Sequence, residues 1–356
     1  MLQRKTQLRR ARALFAYWER GRLFFHNFGT RLTVSGRLVT CEVLDFFSEW
    51  RSSEEAVTHF AGYSQRSVRS ALHQLVQHKV LLRKNSAEAI QDGRIAKEWA
   101  AWLPEGSFHF STKDARYIPG NWSLDRLKAI LPKTPQPKFF KSVTRAKKIR
   151  LPARTFPDSE FIRVLMARRT HRRFSDQELT LRETSQLLFL VWGVTGFLQS
   201  PLYGKLPLKT SPSGGALHPG EVYLMALRVK GLRVGLYHYH PVHHYLERLS
   251  TRATREKAWL YCARQDHAKN AAALFLMTAV FPREMWKYNR PRAYRVVLLD
   301  AGHLCQTFCL VATWLRLAPF CTAALKDTLI EQDLGIDGIR ESVLYVAGVG
   351  VPPRSP

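Results

Sequence analysis

The sequence predicts an α+β protein with a small N-terminal winged helix-turn-helix unit and a larger C-terminal domain built on a mixed sheet. Three observations lead to this fold class. The chain has 356 residues, enough for two domains. Apolar residues recur with strand and helix periods in both halves. A segment rich in proline and basic residues separates the halves.

The composition excludes a mainly disordered chain and points to an acidic partner. Hydrophobic residues make up 46% of the sequence, enough for a sizeable core. The 55 Lys and Arg residues outnumber the 28 acidic ones, for a net charge of +27. A polyanionic partner is therefore expected. Charge alone does not choose among nucleic acid, acidic peptide and phosphorylated cofactor.

The cysteines and apolar runs predict a cytoplasmic protein. The five cysteines are odd in number and mostly lie inside apolar runs, which is typical of a reduced compartment. The longest apolar stretches, near 187–198 and 271–281, are interrupted or shorter than the ~20 residues of a membrane helix. We expect neither a signal peptide nor a membrane span.

The N-terminal unit is predicted within residues 1–100, with its core at 21–85. Two or three short strands are expected over 22–40, followed by helices that begin at Thr40, Ser52 and Ser64. The third helix carries an apolar stripe and an outward polar face, and a short strand follows it. The predicted buried residues are Val68, Leu72, Leu75 and Val76, and the predicted outward residues are Arg66, Arg69, His73 and Gln77.

The C-terminal domain is predicted over residues 158–356, after a basic, proline-containing linker at 101–157 that we expect to be extended. Helices and strands alternate in this domain. The predicted helices are 161–168, 181–192, 251–262 and 293–317; the predicted strands are 221–228, 272–280 and 343–349, with a hairpin at 235–249.

The run ARRTHRRFSDQELT contains four arginines, Arg168, Arg169, Arg172 and Arg173. A planar guanidinium that is always charged suits a phosphate group or the pyrimidine carbonyl of a flavin. A solvated basic face at a helix end is the alternative interpretation.

The segment KTSPSGGALHPGEVYL places Gly214 and Gly215 directly before a buried strand. Glycines let backbone amides approach a flat ligand or an anion closely. An ordinary tight turn is the alternative.

The segment MWKYNRPRAYRVVLLDAGHLCQ places Lys287 beside Tyr288, and both side chains are able to transfer protons. The alternative is a loop followed by an amphipathic helix whose Asp300 pairs with an arginine.

Together these elements resemble the FMN-dependent nitroreductase superfamily, and within it the peptide azoline dehydrogenases that form thiazoles and oxazoles. The resemblance spans about 161–351. It rests on RRTHRRF, SPSGGALHP, GLYHYHPVHHYLERL, WKYNRPRAYRVVLLDAGHLCQ and VLYVAGVG, in that order. It implies a mixed central sheet flanked by helices, a homodimer with FMN at its interface, and the oxidation of azoline rings in a ribosomally made peptide.

The resemblance also implies roles for individual residues. The FMN phosphate, ribityl chain and pyrimidine edge would be held by Arg168, Arg169, Thr170 and Arg172. The loop lying against the isoalloxazine would be Pro212, Ser213, Gly214 and Gly215. Lys287 and Tyr288 match the catalytic pair. Two positions depart from the family pattern, since His218 replaces a frequent tyrosine and Thr307 a frequent asparagine.

A histidine cluster offers several imidazoles within a short span, a possible metal site. It consists of His238, His240, His243 and His244. Related enzymes have a strand, turn and strand here, so we expect a hairpin and no metal. His303, Cys305 and Cys309 have helical spacing on an apolar helix and are expected in the core.

The N-terminal unit resembles the PqqD-like recognition element, a winged helix that binds the leader of a precursor peptide. Such modules add the peptide as a strand at a sheet edge and seat apolar anchors against the third helix. The same fold binds DNA in other proteins, and Arg66 and Arg69 could contact phosphates. Fusion to an oxidase favours peptide, because tethering concentrates the substrate near the flavin.

The predicted activity is therefore FMN-dependent oxidation of azoline to azole in a precursor peptide, with a cyclodehydratase among the partners and no membrane. One alternative is an NAD(P)H-dependent reductase of nitro or quinone compounds on the same fold. Another is a DNA-binding regulator with a degenerate flavin domain, which the +27 charge favours.

Overall fold

The computed structural model describes residues 5–117, 124–130, 139–140, 147–152 and 155–353. The N-terminal part contains six strands and three helices among these residues. In chain order they are β1 (Gln7–Arg10), β2 (Leu14–Glu19), β3 (Arg22–Asn27), β4 (Leu32–Gly36), α1 (Leu38–Phe46), β5 (Arg51–Ser52), α2 (Ser53–His59), α3 (Gln65–Gln77) and β6 (Leu81–Arg83).

The N-terminal strands form two antiparallel sheets, in the orders β5-β1-β6 and β2-β3-β4. Leu8, Phe25 and Leu44 contribute to one apolar core with the inner face of α3. The buried face predicted for α3 is confirmed, with Val68, Leu72, Leu75 and Val76 all buried. The winged-helix assignment itself stays a prediction.

The predicted starts of two N-terminal helices are confirmed and one is wrong. Ser52 and Ser64 cap α2 and α3, each accepting a hydrogen bond from a backbone N–H three residues later. Helix α1 instead begins at Leu38, and the Thr40 hydroxyl accepts a hydrogen bond from the Arg37 backbone N–H. Strands β1 and β2 lie before the predicted core at 21–85 and inside the bounds of 1–100 predicted for the unit.

Three helices follow: α4 (Ala87–Glu98), α5 (Leu103–Thr112) and α6 (Leu124–Ile130). A 3-10 turn at Ala100–Trp102 leads into α5. The expectation of an extended linker is therefore wrong for 103–112 and for 124–130, which are both helical. In α5, the buried Phe110 gives the helix an apolar anchor. Much of the remaining predicted linker lies outside the described residues.

The C-terminal part alternates helices and strands. Its elements are α7 (Glu160–Ala167), α8 (Leu181–Trp192), β7 (Gly196–Ser200), β8 (Gly204–Leu208), β9 (Gly220–Ala226), β10 (Gly235–His240), β11 (Tyr245–Ser250), α9 (Arg255–Tyr261), α10 (Asp266–Asn270), β12 (Ala273–Val280), α11 (Phe281–Lys287), α12 (Ala293–Trp314), β13 (Ala318–Thr322), α13 (Asp327–Leu334) and β14 (Glu341–Gly350). Every element predicted here is present within a few residues of its expected bounds.

Six strands form the central sheet in the order β11-β10-β9-β12-β14-β13. All five pairings between its neighbouring strands are antiparallel, so the prediction of a mixed sheet is wrong for the described residues. Strand direction depends on how distant segments pair, which strand periodicity does not encode. One face of the sheet packs against α8 and α12, and the other against α9 and α13.

Among the described helices, α12 alone is long and apolar enough to cross a bilayer by length and composition. Its buried residues include Val297, Leu304 and Phe308. These residues contribute to the domain's apolar cores.

The N-terminal and C-terminal parts share an apolar core. Trp99, Trp102 and Phe110 pack with Phe281 and Tyr294 in one buried cluster. Ion pairs surround it, from Arg94 to Asp337 at 2.7 Å and from Arg340 to Glu98 at 2.9 Å. The segment that follows β6 is thus built onto the larger domain.

Candidate functional site

A glycine loop, residues 211–215, lies along the N-terminal half of α12. The Ser213 hydroxyl donates a hydrogen bond to Asp300 at 2.5 Å and accepts one from the His218 backbone N–H at 2.9 Å. Ser211 and Thr307 share a hydrogen bond of 2.7 Å. Thr307, one of the two departures from the family pattern, therefore fixes the loop to the helix.

The two glycines of the loop are required by close contacts. A Cβ on Gly214 would lie 2.4 Å from Val296 Cγ1 and 3.1 Å from Glu284 Oε1. Gly215 has φ +62°, and a Cβ there would lie 2.7 Å from the Tyr288 hydroxyl oxygen and 2.8 Å from Lys287 Nζ. The loop is therefore more than a tight turn, because its backbone meets both side chains of the predicted catalytic pair.

Lys287 and Tyr288 converge on Gly215 from the end of α11. The Lys287 ammonium also lies 4.0 Å from the ring centroid of Tyr203 and 5.4 Å from that of Tyr288. Tyr288 is 37% exposed, so a substrate can reach its side chain from solvent. The structure thus brings together the glycine loop and the Lys-Tyr pair, as predicted.

Sequence reasoning missed Glu284, which lies beneath the same loop. Its side chain is fully buried, and neither carboxyl oxygen has a hydrogen-bond partner in the described part of the chain. Burial, reinforced by the charge of Asp300, raises the pKa of Glu284 to about 7, although Lys287 opposes the shift. One signal was visible, since Glu284 is the only acidic residue between Asp266 and Asp300.

Contrary to the alternative interpretation, no arginine of the described residues pairs with Asp300. It is buried and accepts its hydrogen bond from Ser213. Burial raises the pKa of Asp300, while the hydrogen bonds from Ser213 and the Gly214 backbone lower it. Two buried carboxyls, Glu284 and Asp300, therefore lie under one loop.

An ion-pair network holds the far end of the loop. Arg283 Nη1 lies 2.5 Å from Glu221 and donates to the His218 carbonyl at 3.2 Å. Burial lowers the pKa of His218 to about 4, so its imidazole is neutral at pH 7. Burial also lowers the pKa of Lys209 to about 8, against the opposing charge of Glu221.

The arginine run, residues 168–173, lies at the other end of α12. The His171 backbone N–H donates to Pro319 O at 2.8 Å, which attaches the run to β13. Arg169 and Arg172 are exposed and Arg168 is half-buried. None of the four arginines pairs with a carboxylate among the residues described. Their charges are therefore free for an anionic ligand.

The structure does not join the arginine run to the Lys-Tyr pair by any hydrogen bond or ion pair between described residues. Arg168 lies close enough to Cys309 and Cys321 for its positive charge to favour a lower pKa of both thiols. The glycine loop, in contrast, contacts Val296 and Asp300. Positions 300 and 309 on one helix are about 14 Å apart at 1.5 Å per residue. An extended ligand would be needed to connect the two sets.

The four clustered histidines form a hairpin, as predicted, and do not converge on one point. Both nitrogens of His238 contact carboxylates, Glu221 at 3.0 Å and Glu247 at 2.7 Å, and these contacts raise its pKa. His244 bonds Ser185 and Tyr239. The histidines are therefore partnered by neighbouring side chains.

Three thiols do lie together, with all their sulfur atoms within 4.8 Å of one another. They belong to Cys305, Cys309 and Cys321. Cys305 and Cys309 are buried in the core, where they were expected, and Cys321 packs against it. The same expectation is wrong for His303, which is exposed.

The sequence profile described as the nitroreductase family matches residues 165–351, just over half of the chain. The chain belongs to the nitroreductase family. A nitroreductase homologue of Methanocaldococcus jannaschii is 32% identical over 197 residues, which are 54% of this chain and 93% of that protein. The prediction of a nitroreductase-like C-terminal domain is thereby confirmed.

Two other relatives of this nitroreductase-family chain are named as processing proteins. The trifolitoxin-processing protein TfxB of Rhizobium leguminosarum bv. trifolii is 31% identical, over 47% of this chain and 46% of its own. The microcin B17-processing protein McbC of Escherichia coli is 30% identical, over 35% of this chain and 48% of its own. The chain thus spans about half the length of these two relatives.

Solved structures were also compared. A nitroreductase-like protein of Anabaena variabilis is 27% identical with a TM-score of 0.46, covering 54% of this chain and 38% of that one. A chain of the E. coli microcin synthetase McbBCD complex with a truncated pro-peptide is 19% identical with a TM-score of 0.46, covering 83% and 97%.

The residues present fit FMN, the cofactor that the nitroreductase family implies. The guanidiniums of the arginine run, which have no carboxylate partner in the described part of the chain, suit its phosphate. The glycine loop, which has no side chain at two successive positions, suits close approach of a flat ring. The chain therefore contains both a candidate site for the FMN phosphate and a candidate site for the flavin ring.

Proposed function

We propose that this nitroreductase-family protein is an FMN-dependent oxidoreductase that acts on a ribosomally synthesised peptide. The specific reaction that we propose is the oxidation of thiazoline or oxazoline rings to thiazoles or oxazoles. The observation that carries the proposal is the meeting of Lys287 Nζ and the Tyr288 hydroxyl at Gly215. An acid–base pair beside a flat-ligand loop suits removal of a proton from a ring about to be oxidised.

The two processing relatives support a peptide substrate. TfxB and McbC are named for processing a peptide toxin and a microcin, and they match this chain at 31% and 30% identity. The matched parts are about half of each relative, so the peptide and the reaction are carried to this chain as part of the proposal.

In the proposed mechanism Tyr288 takes the proton from the ring's α-carbon. This step requires the phenolate form of Tyr288, which becomes the neutral phenol as it takes the proton. The Lys287 ammonium, 5.4 Å from the Tyr288 ring, would stabilise the negative charge of that phenolate. Bound FMN would supply the two-electron sink for the hydride that leaves the β-carbon. Loss of one proton and one hydride completes the aromatic ring, which makes the step favourable.

The arginine run would hold the cofactor while the glycine loop holds its ring. Arg168, Arg169, Thr170 and Arg172 are the proposed ligands of the phosphate, ribityl chain and pyrimidine edge. Pro212, Ser213, Gly214 and Gly215 are the proposed backbone contacts with the isoalloxazine. The Ser213 bond to Asp300 would keep that loop in place when the site is filled.

An absorbance spectrum followed by a peptide assay tests the proposal. We expect FMN to copurify, and we expect an azoline-containing peptide to lose two hydrogens per ring by mass spectrometry. Protein that is colourless and takes up no added FMN would exclude the cofactor assignment. A yellow protein that leaves azolines unchanged would exclude the substrate.

A second candidate is an NAD(P)H-dependent reductase of nitro or quinone compounds. It is favoured by the 32% identity to the M. jannaschii homologue over 93% of that protein's length. Stopped-flow reduction of the flavin separates the two. Rapid bleaching by NAD(P)H favours the reductase, and bleaching by azoline peptide favours the oxidase.

We also propose that the N-terminal unit is a winged-helix module of the PqqD-like type that binds the leader of the precursor peptide. Strand β4 pairs only with β3 among the described strands, so its other edge is open to an added strand. Beside it lies an apolar groove of about 210 Å³ between α1 and α3. Val39, Val43, Phe60, Tyr63, Val68 and Leu72 line the groove.

Titration of the chain with leader peptide and with random duplex DNA tests this assignment. We expect saturable peptide binding and weak duplex binding at moderate salt. Tight duplex binding without a response to peptide would favour the regulator alternative. Val43→Asp, which places a charge in the groove, should weaken peptide binding without changing flavin content.

We further propose a cytoplasmic homodimer with FMN at its interface, which works with a cyclodehydratase that forms the azolines. Large apolar side chains around the site are exposed in the single chain, consistent with a covered surface. They include Phe161 at 66%, Met166 at 66% and Trp286 at 68% exposed. A strictly monomeric species by light scattering that binds flavin fully would contradict the dimer.

A further inference from the structure

Two tryptophans ahead of α5 connect the N-terminal part of the chain to the nitroreductase domain. Trp99 and Trp102 are both fully buried, at 0% exposure. The indole N–H of Trp99 donates to the Ile339 carbonyl, and that of Trp102 donates to the Tyr288 carbonyl, each at 2.9 Å. Both indoles lie outside the residues that match the family profile. Of these two indoles, only that of Trp102 donates a hydrogen bond to the backbone of the proposed catalytic tyrosine.

Tyr288 directly follows the last residue of a helix, where the backbone carbonyl has no hydrogen-bond partner within that helix. Helix α11 ends at Lys287 and α12 begins at Ala293, so Tyr288 starts a short connection between them. Its φ of −116° and ψ of 76° are not helical. Carbonyls at a helix end have no partner within the helix. Trp102 supplies a donor to this one and fixes the peptide plane that follows the tyrosine.

The same cluster contains the first residue of α11 and the first turn of α12, the two helices on either side of Tyr288. Trp99 packs against Phe281, the first residue of α11, with ring centroids 4.9 Å apart. Trp102 packs against Tyr294, at the start of α12, at 6.3 Å. The segment at 99–102 therefore contacts the residues before, at and after the reactive position.

We propose that Trp102 is a positioning residue, which holds Tyr288 at the glycine loop from outside the family domain. The role rests on the proposed function in one respect, namely that Tyr288 takes the substrate proton. A displacement of about 1 Å at a reacting group can cost about 10²-fold in rate. The 2.9 Å bond from Trp102 restrains the backbone from which the Tyr288 side chain projects.

The test compares Trp102→Phe with Trp99→Phe in the full chain. Each change keeps an aromatic ring and removes an N–H that bonds a backbone carbonyl at the same distance. We expect similar losses of thermal stability, since each leaves one carbonyl without its donor. We expect only Trp102→Phe to lower kcat, by about tenfold, with KM and FMN affinity unchanged.

A spectroscopic readout follows Tyr288 without turnover. The protein is labelled with 3-fluorotyrosine, and the Tyr288 signal is assigned by its loss in Tyr288→Phe. We expect this ¹⁹F signal to shift or broaden in Trp102→Phe and to stay in place in Trp99→Phe. Equal effects of the two variants on kcat and on the signal, or no effect of Trp102→Phe on either, would overturn the proposal.

Two further measurements cover the cases in which Trp102→Phe does not fold or the proposed function fails. If Trp102→Phe does not fold, benzothienylalanine at position 102 keeps the shape of indole and removes only its N–H. If the parent protein binds FMN and oxidises no azoline, the proposed function fails. The fluorine comparison then decides alone whether Trp102 positions Tyr288.

Discussion

The sequence predicted two parts of the site, the glycine loop with its Lys-Tyr pair and the arginine run. In the structure these two regions differ in whether their side chains have partners in the same chain. Around the loop, side chains of the same chain meet one another. Ser213 bonds Asp300, and Lys287 and Tyr288 meet at Gly215. In the arginine run the guanidiniums have no carboxylate partner within the described ranges.

This difference in partners corresponds to a difference in proposed role. The Lys-Tyr pair must be positioned to react, whereas the arginine run must bind a cofactor. A group that must react in a defined direction is held by its own chain, because a misplaced acid or base loses most of its effect. A group that binds an anionic cofactor keeps its charge without a carboxylate partner until the ligand arrives. The two regions should therefore respond differently to mutation.

The largest effect should come from Tyr288→Phe, which keeps the ring and removes only the hydroxyl. Loss of a general base typically costs 10²–10⁴-fold in rate, while a cofactor held by other residues stays bound. We expect yellow, folded protein that leaves azolines unoxidised, measured as the missing two-hydrogen loss per ring. Lys287→Ala should behave in the same way.

Parental oxidation by Tyr288→Phe would exclude Tyr288 as the base. Attention would then move to His303, which contacts Pro212 O at 3.3 Å, or to His218. Loss of flavin in this variant would instead make Tyr288 a cofactor contact.

The next effect should come from Arg168→Ala, on FMN affinity. Removing a charged hydrogen-bond donor costs about 1.5–3 kcal/mol, which is about 10–150-fold in Kd. The rate at saturating FMN should change little, in contrast to Tyr288→Phe. Fluorescence titration of apoprotein measures the Kd. Arg182→Ala, at an exposed position on α8, is the control and should bind FMN like the parent.

A smaller effect is expected from Gly215→Ala. The new Cβ would lie 2.7 Å from the Tyr288 hydroxyl oxygen and 2.8 Å from Lys287 Nζ, so both side chains must move. We expect about a tenfold loss of rate from the displaced pair. Gly231→Ala is matched to it, because Gly231 also has positive φ and no neighbour within 4 Å of its Cβ position. Equal rates for the two variants would show that the contact at Gly215 is unimportant.

The smallest effect concerns Glu284→Gln and the pH dependence of stability. The pKa of Glu284 rises from 4.5 in the unfolded chain to about 7 when buried, so the folded state holds the extra proton between these values. Its stabilising contribution is complete below pH 4.5 and is lost as pH rises through 7. Glu284→Gln should remove this loss, gaining about 1–2 kcal/mol at pH 8 relative to pH 4.5.

Urea denaturation across pH 4–8 measures the effect of Glu284→Gln. Glu88→Gln is the opposite control, since the contact with Lys79 lowers the pKa of Glu88. That variant should lose stability near pH 7 and approach the parent as pH falls. A parallel pH dependence in the parent and Glu284→Gln would show that folding does not raise the pKa of Glu284.

Local patterns in the sequence were sufficient for the element types and for the two glycines. The stripe Val68, Leu72, Leu75 and Val76 recurs at helical spacing, and the structure buries all four. Gly214 and Gly215 were predicted because a missing Cβ allows close approach, and the structure shows which atoms approach. These features depend on neighbours along the chain.

Other features depend on which distant segments meet. Periodicity shows which face of a strand is buried, but it does not encode the direction of the neighbouring strand, so the antiparallel sheet was missed. Helix α5 was missed because the proline-rich, basic composition of its surroundings concealed its buried aromatic residues.

The sequence by itself therefore determined the family, many of the helices and strands, and the residue types available for chemistry. Only the tertiary structure decided that Glu284 is buried beneath the loop and that Trp102 bonds a carbonyl 186 positions away. The physical reason is that burial, pKa shifts and long-range hydrogen bonds arise from contacts between segments, whereas residue periodicity records only that a contact surface exists.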